Sequence, residues 1–301
     1  SHWAGQMFER YFPGVVVKRI EHAIPSNPVP SRNLSALVFV DTPWPTVAVL
    51  GAVGPDKGAR RLERLVALVA EKNAAVRFVL IGYLDRQHGP WQSEDGRFLV
   101  HGRYTPNDFP ALMDYYKVKL VVYPSAGPET FCYTLSETWQ AGRPALVPPF
   151  GALAERMQKH GAGWVMNDEE WADEEQMLRR ILTLLDPGHH EALQEKAVCA
   201  HRVLLPTMEN MVAATIACYE QAIAAAPLVS ERPSFPPIRV RNALGYVECS
   251  SINSARSESA RDEGALWWRW AMRFRQTPIG RILRALLPQG VIGGLKKIIK
   301  R

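Results

Sequence analysis

The sequence predicts an α/β fold, a Rossmann-like, doubly wound parallel sheet with helices on both faces. From residue 46 onward, short runs of β-branched residues alternate with amphipathic helical stretches. Each helical stretch is long enough to cross over between two parallel strands. A hydrophobic content of 47% in 301 residues is sufficient for a packed core. We therefore expect a soluble globule whose ligands bind at the carboxyl ends of the strands.

The predicted elements follow one another regularly along the central part of the chain. Strands are predicted at 46–50, 76–81, 97–101, 119–123, 144–147 and 163–166. Helices are predicted between them at 58–72, 106–116, 130–141 and 151–160. Before this series, residues 2–12 have a helical pattern and Val15 to Ile20 could form a strand. After it, residues 171–185 and 189–225 are predicted to be helical.

Changes in composition divide the chain into four regions. Residues 1–45, with a Pro-rich stretch from Pro25 to Pro45, are predicted to be a hinge or the end of a preceding domain. Residues 46–226 form the predicted Rossmann-like domain. The Ser-, Pro- and Arg-rich segment 227–260 lacks periodicity and is predicted to be a linker. Residues 261–301 form a basic tail.

The positive charge of the chain is concentrated in that tail. Residues 261–301 contain ten Lys and Arg against two Asp and Glu, a net +8, whereas the whole chain carries +6. The first 260 residues therefore sum to −2. A near-neutral body with a basic tail is expected to contact an acidic surface through that tail, and anionic lipid is as plausible a surface as nucleic acid.

The four cysteines and the chain start indicate the cellular context. Cys132, Cys199, Cys218 and Cys249 are widely spaced and include no CxxC pair, which is typical of a reduced compartment. No signal peptide and no apolar run of about 18 residues is present, so a cytoplasmic location is expected. Because the chain starts at Ser1 without an initiator Met, we expect it to be part of a longer polypeptide.

A first candidate site follows the first predicted strand. The sequence GAVGPDKG contains Gly54 in a tight turn and opens a helix with Lys57 at its mouth. Backbone amides, the positive end of the helix dipole and a Lys charge suit a phosphate group. The order of Lys57 and Gly58 differs from that of a Walker loop. On this signal alone, an ordinary βα turn with a surface Lys is the favoured explanation of the pattern.

A stronger signal is PSAGPETFCYTLSETWQAGRP, which runs from Pro124 to Pro144. It places Glu129 and Glu137 eight residues apart. If Glu129 lies at the helix start, a rise of ~1.5 Å per residue separates the two by about 12 Å, close to the span of a nucleotide sugar. One carboxylate could accept hydroxyl groups of the hexose and the other those of the ribose. Amides near Thr130 and Phe131 would then cap the diphosphate.

These motifs resemble a known family. A PS turn followed by E-x7-E, an AG.P helix exit and a KG near the first strand look like family 4 of the retaining GT-B glycosyltransferases. FVLIG, FLVHGRY, DYY and GALAERMQKHGAGWVM resemble further sections of that family. The resemblance covers roughly residues 46–185. It implies that the Rossmann-like domain is the donor-binding half of a GT-B fold, with C-terminal amphipathic helices after it.

The resemblance also implies a role for each motif residue. Glu137 would bind the ribose hydroxyls and Glu129 would contact the donor hexose. Lys57 would neutralise the diphosphate leaving group, and Gly102, Arg103 and Tyr104 would lie near the base. No cofactor and no metal is expected, because basic side chains and the helix terminus stabilise the departing nucleotide in this family.

Three features depart from the family pattern. Ala52 stands where the family usually has an Arg, so that phosphate contact is either missing or supplied by Arg60 or Arg61. Cys132 occupies the place of a customary Gly, although FCYTLSE is similar to a version in bacterial polysaccharide and rhamnan-type synthesis proteins. The N-terminal acceptor domain would precede Ser1, so the chain is expected to be inactive as an isolated half.

The tail has the pattern of basic amphipathic helices. Arginines lie opposite two apolar stripes, which consist of Leu266, Trp267, Trp270 and Phe274, and of Ile279, Ile282, Leu283, Leu286 and Leu287. Trp-rich basic helices suit an anionic membrane surface, here the cytoplasmic face of the inner membrane. The alternative is that the aromatic face packs against protein.

Two functions remain open from the sequence. The first is sugar transfer from a nucleotide sugar to a glycan or lipid-linked acceptor in bacterial surface polysaccharide (O-antigen type) biosynthesis, with no nucleic-acid partner. The second is a non-catalytic, degenerate sugar-nucleotide fold that scaffolds a partner transferase at the membrane. The absence of an Arg at Ala52 favours the second, whereas the Glu129 and Glu137 motif favours the first.

Overall fold

A seven-stranded sheet forms the centre of the structure, a computed structural model that describes residues 1–24, 42–225, 238–242 and 245–249. The first strand, TVAVLGAV, is rich in β-branched residues and is buried over most of its length, as is typical of a central parallel strand. In chain order the strands are β1 (Thr46–Val53), β2 (Arg77–Leu84), β3 (Trp91–Gln92), β4 (Phe98–Val100), β5 (Val118–Val122), β6 (Ala145–Val147) and β7 (Gly163–Val165).

The sheet is parallel except at one edge. Its strand order is β3-β4-β2-β1-β5-β6-β7, and only β3 pairs antiparallel with its neighbour β4. The chain first builds outward from β1 through β2 and then returns to place β5 on the other side of β1. The winding therefore reverses between β1 and β5, which is the position where such sheets bind ligands.

Helices cover both faces of the sheet. In chain order they are α1 (His2–Tyr11), α2 (Ala59–Glu71), α3 (Phe109–Tyr115), α4 (Tyr133–Gln140), α5 (Gly151–His160), α6 (Asp168–Ala172), α7 (Glu174–Leu185), α8 (His190–His201) and α9 (Met208–Ala225). Alternate residues of β1 enter two different cores. Val47 and Val49 pack with α2 and α7, whereas Ala48 and Leu50 pack with α3, α4 and α5. The predicted fold class, a doubly wound Rossmann-like sheet, is confirmed.

Several predicted elements differ in detail from the observed ones. The two-residue strand β3 was not predicted, because an edge strand this short has no periodicity to detect. No strand forms at Val15 to Ile20, where the chain is irregular and largely exposed. The helix predicted at 171–185 is interrupted at Asp173, whose side chain accepts the Glu175 amide and so caps a new helix. The predicted helix 189–225 is two helices in the structure, separated by the non-helical residues 202–207, which include Pro206.

The chain divides into two units, Ser1–Ala226 and Pro227–Arg301. In the second unit, β8 (Ile238–Asn242) and β9 (Gly245–Cys249) form an antiparallel pair within the segment expected to be a linker. The predicted amphipathic helices of 261–301 and most of the Pro-rich stretch lie outside the described residues. Within the described ranges, none of the helices combines the length and apolar composition that crossing a bilayer requires.

Candidate functional site

The turn after β1 and the loop after β5 meet at the switch point of the sheet. Residues Pro55–Lys57 form one 3-10 turn, and Gly58, with φ +86, is the N-cap residue that precedes α2. A Cβ atom at Gly58 would lie 2.0 Å from the carbonyl oxygen of Pro124. The Ala126 amide also donates to the Asp56 carbonyl at 3.1 Å. These backbone contacts bring the turn that carries Lys57 against the loop that carries Glu129.

The turn itself is open to solvent. The Lys57 side chain is exposed, and a Cβ atom built at Gly54 would meet nothing within 4 Å. An exposed ammonium group beside an open turn can approach an anionic ligand without displacing a protein partner. The arrangement is compatible with the phosphate contact predicted for Lys57 and Gly54.

Side chains hold the loop after β5 from both sides. The buried Ser125 donates its hydroxyl to Oε1 of Glu129 at 3.3 Å, and its carbonyl accepts the indole N–H of Trp171 at 3.1 Å. The carbonyl of Glu129 accepts the Ala152 amide at 2.9 Å, which joins the loop to the start of α5. The half-buried Glu129 is therefore held directly by Ser125 and Ala152, and Trp171 holds the same loop through Ser125.

The helix that carries Glu137 begins later than predicted. Helix α4 begins at Tyr133, and Cys132 precedes it in the left-handed region with φ 68 and ψ 89. Glu129 thus lies in the loop and not at the helix start, and the predicted axial separation of about 12 Å between the carboxylates does not apply. Glu137 lies one turn inside the helix. The left-handed Cys132 explains the difference, since a residue with positive φ cannot continue an α-helix.

Glu137 is half-buried and is anchored by a side chain from the loop after β4. Its Oε2 atom accepts the Tyr104 hydroxyl at 2.9 Å. Burial raises the pKa of the Glu137 carboxyl, and the hydrogen bond from Tyr104 opposes this shift. Burial and the charge of Glu137 raise the pKa of the Tyr104 phenol well above its usual range, so this hydroxyl remains a donor. The contact joins the loop after β4 to α4.

The side chain of the neighbouring Arg103 contacts a different element from that of Tyr104. Its exposed guanidinium lies over the ring of Tyr83 at 5.0 Å from the centroid. The Gly102 amide donates to the Gly82 carbonyl at 2.8 Å, which ties the loop after β4 to the end of β2. Arg103 therefore faces the end of β2, while Tyr104 reaches α4.

Thr130 and Phe131 face the N-terminal segment. The Thr130 carbonyl accepts from the amino group of Ser1 at 3.4 Å, and the Phe131 ring packs at 5.1 Å from the His22 ring. Both residues line a cavity of about 810 Å³ between this segment and α5. The two residues thus form the border between the loop of Glu129 and this cavity.

Two arginines have contacts that the sequence did not indicate. Arg61, one substitute considered for the Arg missing at Ala52, lies over the Trp171 ring at 4.4 Å and approaches Glu174 at 3.7 Å. Arg61 also donates to the Trp171 carbonyl, so its guanidinium is engaged, whereas Arg60 is exposed. Arg156 donates to backbone carbonyls of the motif loop, which is residues 123–132 between β5 and α4. No spacing in the sequence could reveal this contact, because Arg156 lies in the separate helix α5.

Among the residues that the structure describes, no group of three or more His, Cys, Asp and Glu side chains could hold a metal ion. The chemistry available at the switch point consists of two carboxylates, one exposed ammonium and the backbone donors of the turn, since the Tyr104 hydroxyl already donates to Glu137. This set suits a ligand that has both hydroxyl groups and negative charge.

A family comparison adds to this geometry. Residues 44–187 match the family model described as glycosyl transferases group 1. The match covers just under half of the 301-residue chain, from β1 to the end of α7, and includes Lys57, Glu129 and Glu137. It agrees with the resemblance found in the sequence over residues 46–185. The comparison with curated proteins found no match.

Three solved structures illustrate what the fold is similar to. Sucrose-phosphate synthase from Thermosynechococcus elongatus is 18% identical, with a TM-score of 0.46 over 65% of this chain and 50% of that one. The catalytic domain of starch synthase IV from Arabidopsis thaliana, bound to ADP and acarbose, is 14% identical, with a TM-score of 0.42 over 62% and 39%. HepE from Anabaena, in complex with UDP and glucose, is 18% identical, with a TM-score of 0.40 over 60% and 48%. The chain spans half or less of the length of these proteins.

Proposed function

We propose that residues 46–226 are the nucleotide-sugar-binding half of a retaining GT-B glycosyltransferase of family 4. The observation that supports this most strongly is the match of residues 44–187 to glycosyl transferases group 1. The matched segment contains the turn of Lys57, the loop of Glu129 and the helix of Glu137, which meet at the switch point of the sheet.

In this proposal, Glu137 binds the ribose. Tyr104 occupies Oε2 of the carboxylate, and a ribose hydroxyl donates to Oε1. Partial burial strengthens such a hydrogen bond, because fewer water molecules compete for the carboxylate. Glu129, held by Ser125, accepts hydroxyl groups of the donor hexose, while Arg103 and the loop around it lie near the base.

The leaving group is stabilised by charge. When the bond between the sugar and the diphosphate breaks, negative charge accumulates on the phosphate oxygens, and a fixed cation lowers the energy of that state. Lys57 supplies this cation beside the open turn at Gly54, and amides near Thr130 and Phe131 supply further donors. Arg60 is the second candidate cation, because Arg61 is engaged by Trp171 and Glu174.

The remaining parts of the proposal come from the resemblance and, for the membrane, from the amphipathic pattern of residues 261–301. The donor sugar passes with retention to a glycan or lipid-linked acceptor in bacterial surface polysaccharide biosynthesis. An N-terminal acceptor domain completes the cleft, and residues 261–301 attach the protein to the cytoplasmic face of the inner membrane. Deletion of 261–301 is expected to release the protein from anionic liposomes, and co-sedimentation of the truncated chain with them would contradict the membrane role.

Nucleotide binding by the purified chain tests the proposal. We expect one of UDP, GDP, dTDP or ADP to raise the melting temperature, with Glu137→Ala weakening its binding by about 100-fold, since a buried charged acceptor is lost. Glu169→Ala is the matched control, because Glu169 is an exposed glutamate outside the site. Equal affinity of wild type and Glu137→Ala for the nucleotide would refute the assignment of the ribose site.

The second candidate function is the non-catalytic scaffold. The observation that favours it is the engagement of Arg61 by Trp171 and Glu174, which leaves only the exposed Arg60 of the two arginines that could replace the cation missing at Ala52. A scaffold of this kind predicts that none of the four nucleotides changes the melting temperature of the wild-type chain.

A further inference from the structure

Arg156 joins α5 to the loop between the two glutamates. One guanidinium nitrogen donates to the carbonyl oxygens of Phe131 at 3.0 Å and Cys132 at 2.9 Å. The other terminal nitrogen donates to the hydroxyl of the fully buried Ser136. The guanidinium also lies over the Phe131 ring at 4.2 Å and near the Trp139 ring at 4.9 Å.

The two backbone acceptors lie on either side of a strained position. Cys132 has φ 68, a conformation that glycine adopts freely and that other residues adopt at a cost. The Phe131 carbonyl precedes Cys132 and the Cys132 carbonyl follows it, so one guanidinium holds both peptide groups of the left-handed turn. The left-handed conformation of Cys132 sets the residue at which α4 begins. It therefore also sets the position of Glu129, in the loop, relative to Glu137, in the helix.

The chemistry of the contact requires an arginine. A guanidinium presents several N–H donors in a rigid plane, whereas the ammonium group of Lys is a single point charge on a flexible stem. Burial lowers the pKa of Arg156, which shows that enclosing this cation is unfavourable in itself. Hydrogen bonds from Arg156 to the carbonyls of Phe131 and Cys132 offset this unfavourable burial. Both carbonyls belong to residues that precede the start of α4.

We propose that Arg156 is a positioning residue of the nucleotide-sugar site, which fixes the left-handed turn at Cys132 and thereby the mutual placement of Glu129 and Glu137. This proposal rests on the proposed function. It also predicts energetic coupling between Arg156 and Cys132, because a glycine at position 132 adopts the turn without help.

Nucleotide affinity in a double-mutant cycle tests the proposal on the full chain, with whichever of UDP, GDP, dTDP or ADP binds the wild type. We expect Arg156→Met to weaken binding about tenfold or more, and Arg156→Lys to weaken it less. In the Cys132→Gly background, the loss on Arg156→Met should be several-fold smaller. Wild-type affinity of Arg156→Met, or the same loss in both backgrounds, would overturn the proposal.

Glu155→Gln is the matched control on the same helix. The Glu155 carboxylate accepts the backbone amides of His2 and Trp3, both at 2.6 Å, and so it caps α1 and does not contact the motif loop. We expect Glu155→Gln to lower the melting temperature while leaving nucleotide affinity unchanged. A parallel loss of affinity in this variant would show that general loosening of α5, and not the Arg156 contact, explains the result.

A ligand-free measurement separates this proposal from the proposed function. The Cys132 thiol is buried, and burial together with the charge of Glu129 raises its pKa to about 12, so it should react slowly with a thiol reagent. Arg156→Met should speed labelling of Cys132, mapped by peptide mass spectrometry, relative to Glu155→Gln. An unchanged rate would overturn the turn-fixing role even if no nucleotide binds and the proposed function fails.

Discussion

The turn after β1 and the loop after β5 meet at the same edge of the sheet but are held in different ways. The turn of Lys57 is held by its backbone, through the close approach of Gly58 to Pro124. The loop of Glu129 is held by side chains, namely Ser125 within the loop and Trp171 and Arg156 from other elements. Side-chain substitutions should therefore leave the turn in place and disturb the loop.

The two regions also differ in how strongly the position of their charged side chain depends on packing. The Lys57 side chain is exposed, so it can add charge to the site without adding stability to the fold. Glu137, by contrast, is half-buried and hydrogen-bonded to Tyr104, so its position depends on packing around it. The two regions combine an exposed cation with a half-buried, hydrogen-bonded carboxylate.

The largest expected effect concerns the backbone contact between the two regions. Gly58→Ala places a Cβ atom 2.0 Å from the Pro124 carbonyl oxygen at a residue with φ +86. We expect it to lower the free energy of unfolding by roughly 2–4 kcal/mol, measured by urea denaturation. Gly54→Ala is the control, since its Cβ atom meets nothing within 4 Å. Similar free energies of unfolding for the two variants would contradict the conclusion that backbone contacts hold the turn.

A smaller effect is expected from the exposed cation. Lys57→Ala should weaken nucleoside diphosphate binding about tenfold by calorimetry, because one charged contact to phosphate is lost. The free energy of unfolding should change by less than about 0.5 kcal/mol, as for other exposed positions. Binding of the nucleoside without phosphates should not change. A loss of nucleoside binding would show that Lys57 also shapes the loop of Glu129.

The smallest effect concerns the pH dependence of the fixed carboxylate. Burial raises the pKa of Glu137, so binding that needs its ionised form decreases as the pH falls through this raised value. Tyr104→Phe removes the hydrogen bond that opposes the shift, which raises the pKa of Glu137 further and moves the acid limb of nucleotide binding to higher pH. At pH 8, affinity should change by less than about fivefold. Superimposable pH profiles of Tyr104→Phe and wild type would contradict the proposed coupling.

The sequence was sufficient where the pattern is periodic. The apolar runs that became β1, β2 and β5 are long and bounded by turn residues, and their predicted positions are confirmed. The edge strand β3 and the break in the helical pattern at Asp173 were missed, since each depends on contacts of two or three residues. The start of α4 was also missed, because the left-handed conformation of Cys132 is one that a residue other than glycine does not predict.

For the candidate site, the sequence by itself determined which residue types are present and in what order, and the strand pattern placed them at one edge of a sheet. Tertiary structure decided how they are arranged. Tyr104 reaches Glu137 across 33 positions of the chain, and Arg156 reaches Phe131 across 25. Short-range periodicity reports which face of an element is buried, but it has no information on which distant side chain will donate to a given carbonyl or carboxylate. That partner is selected only when the packed layers bring the elements together.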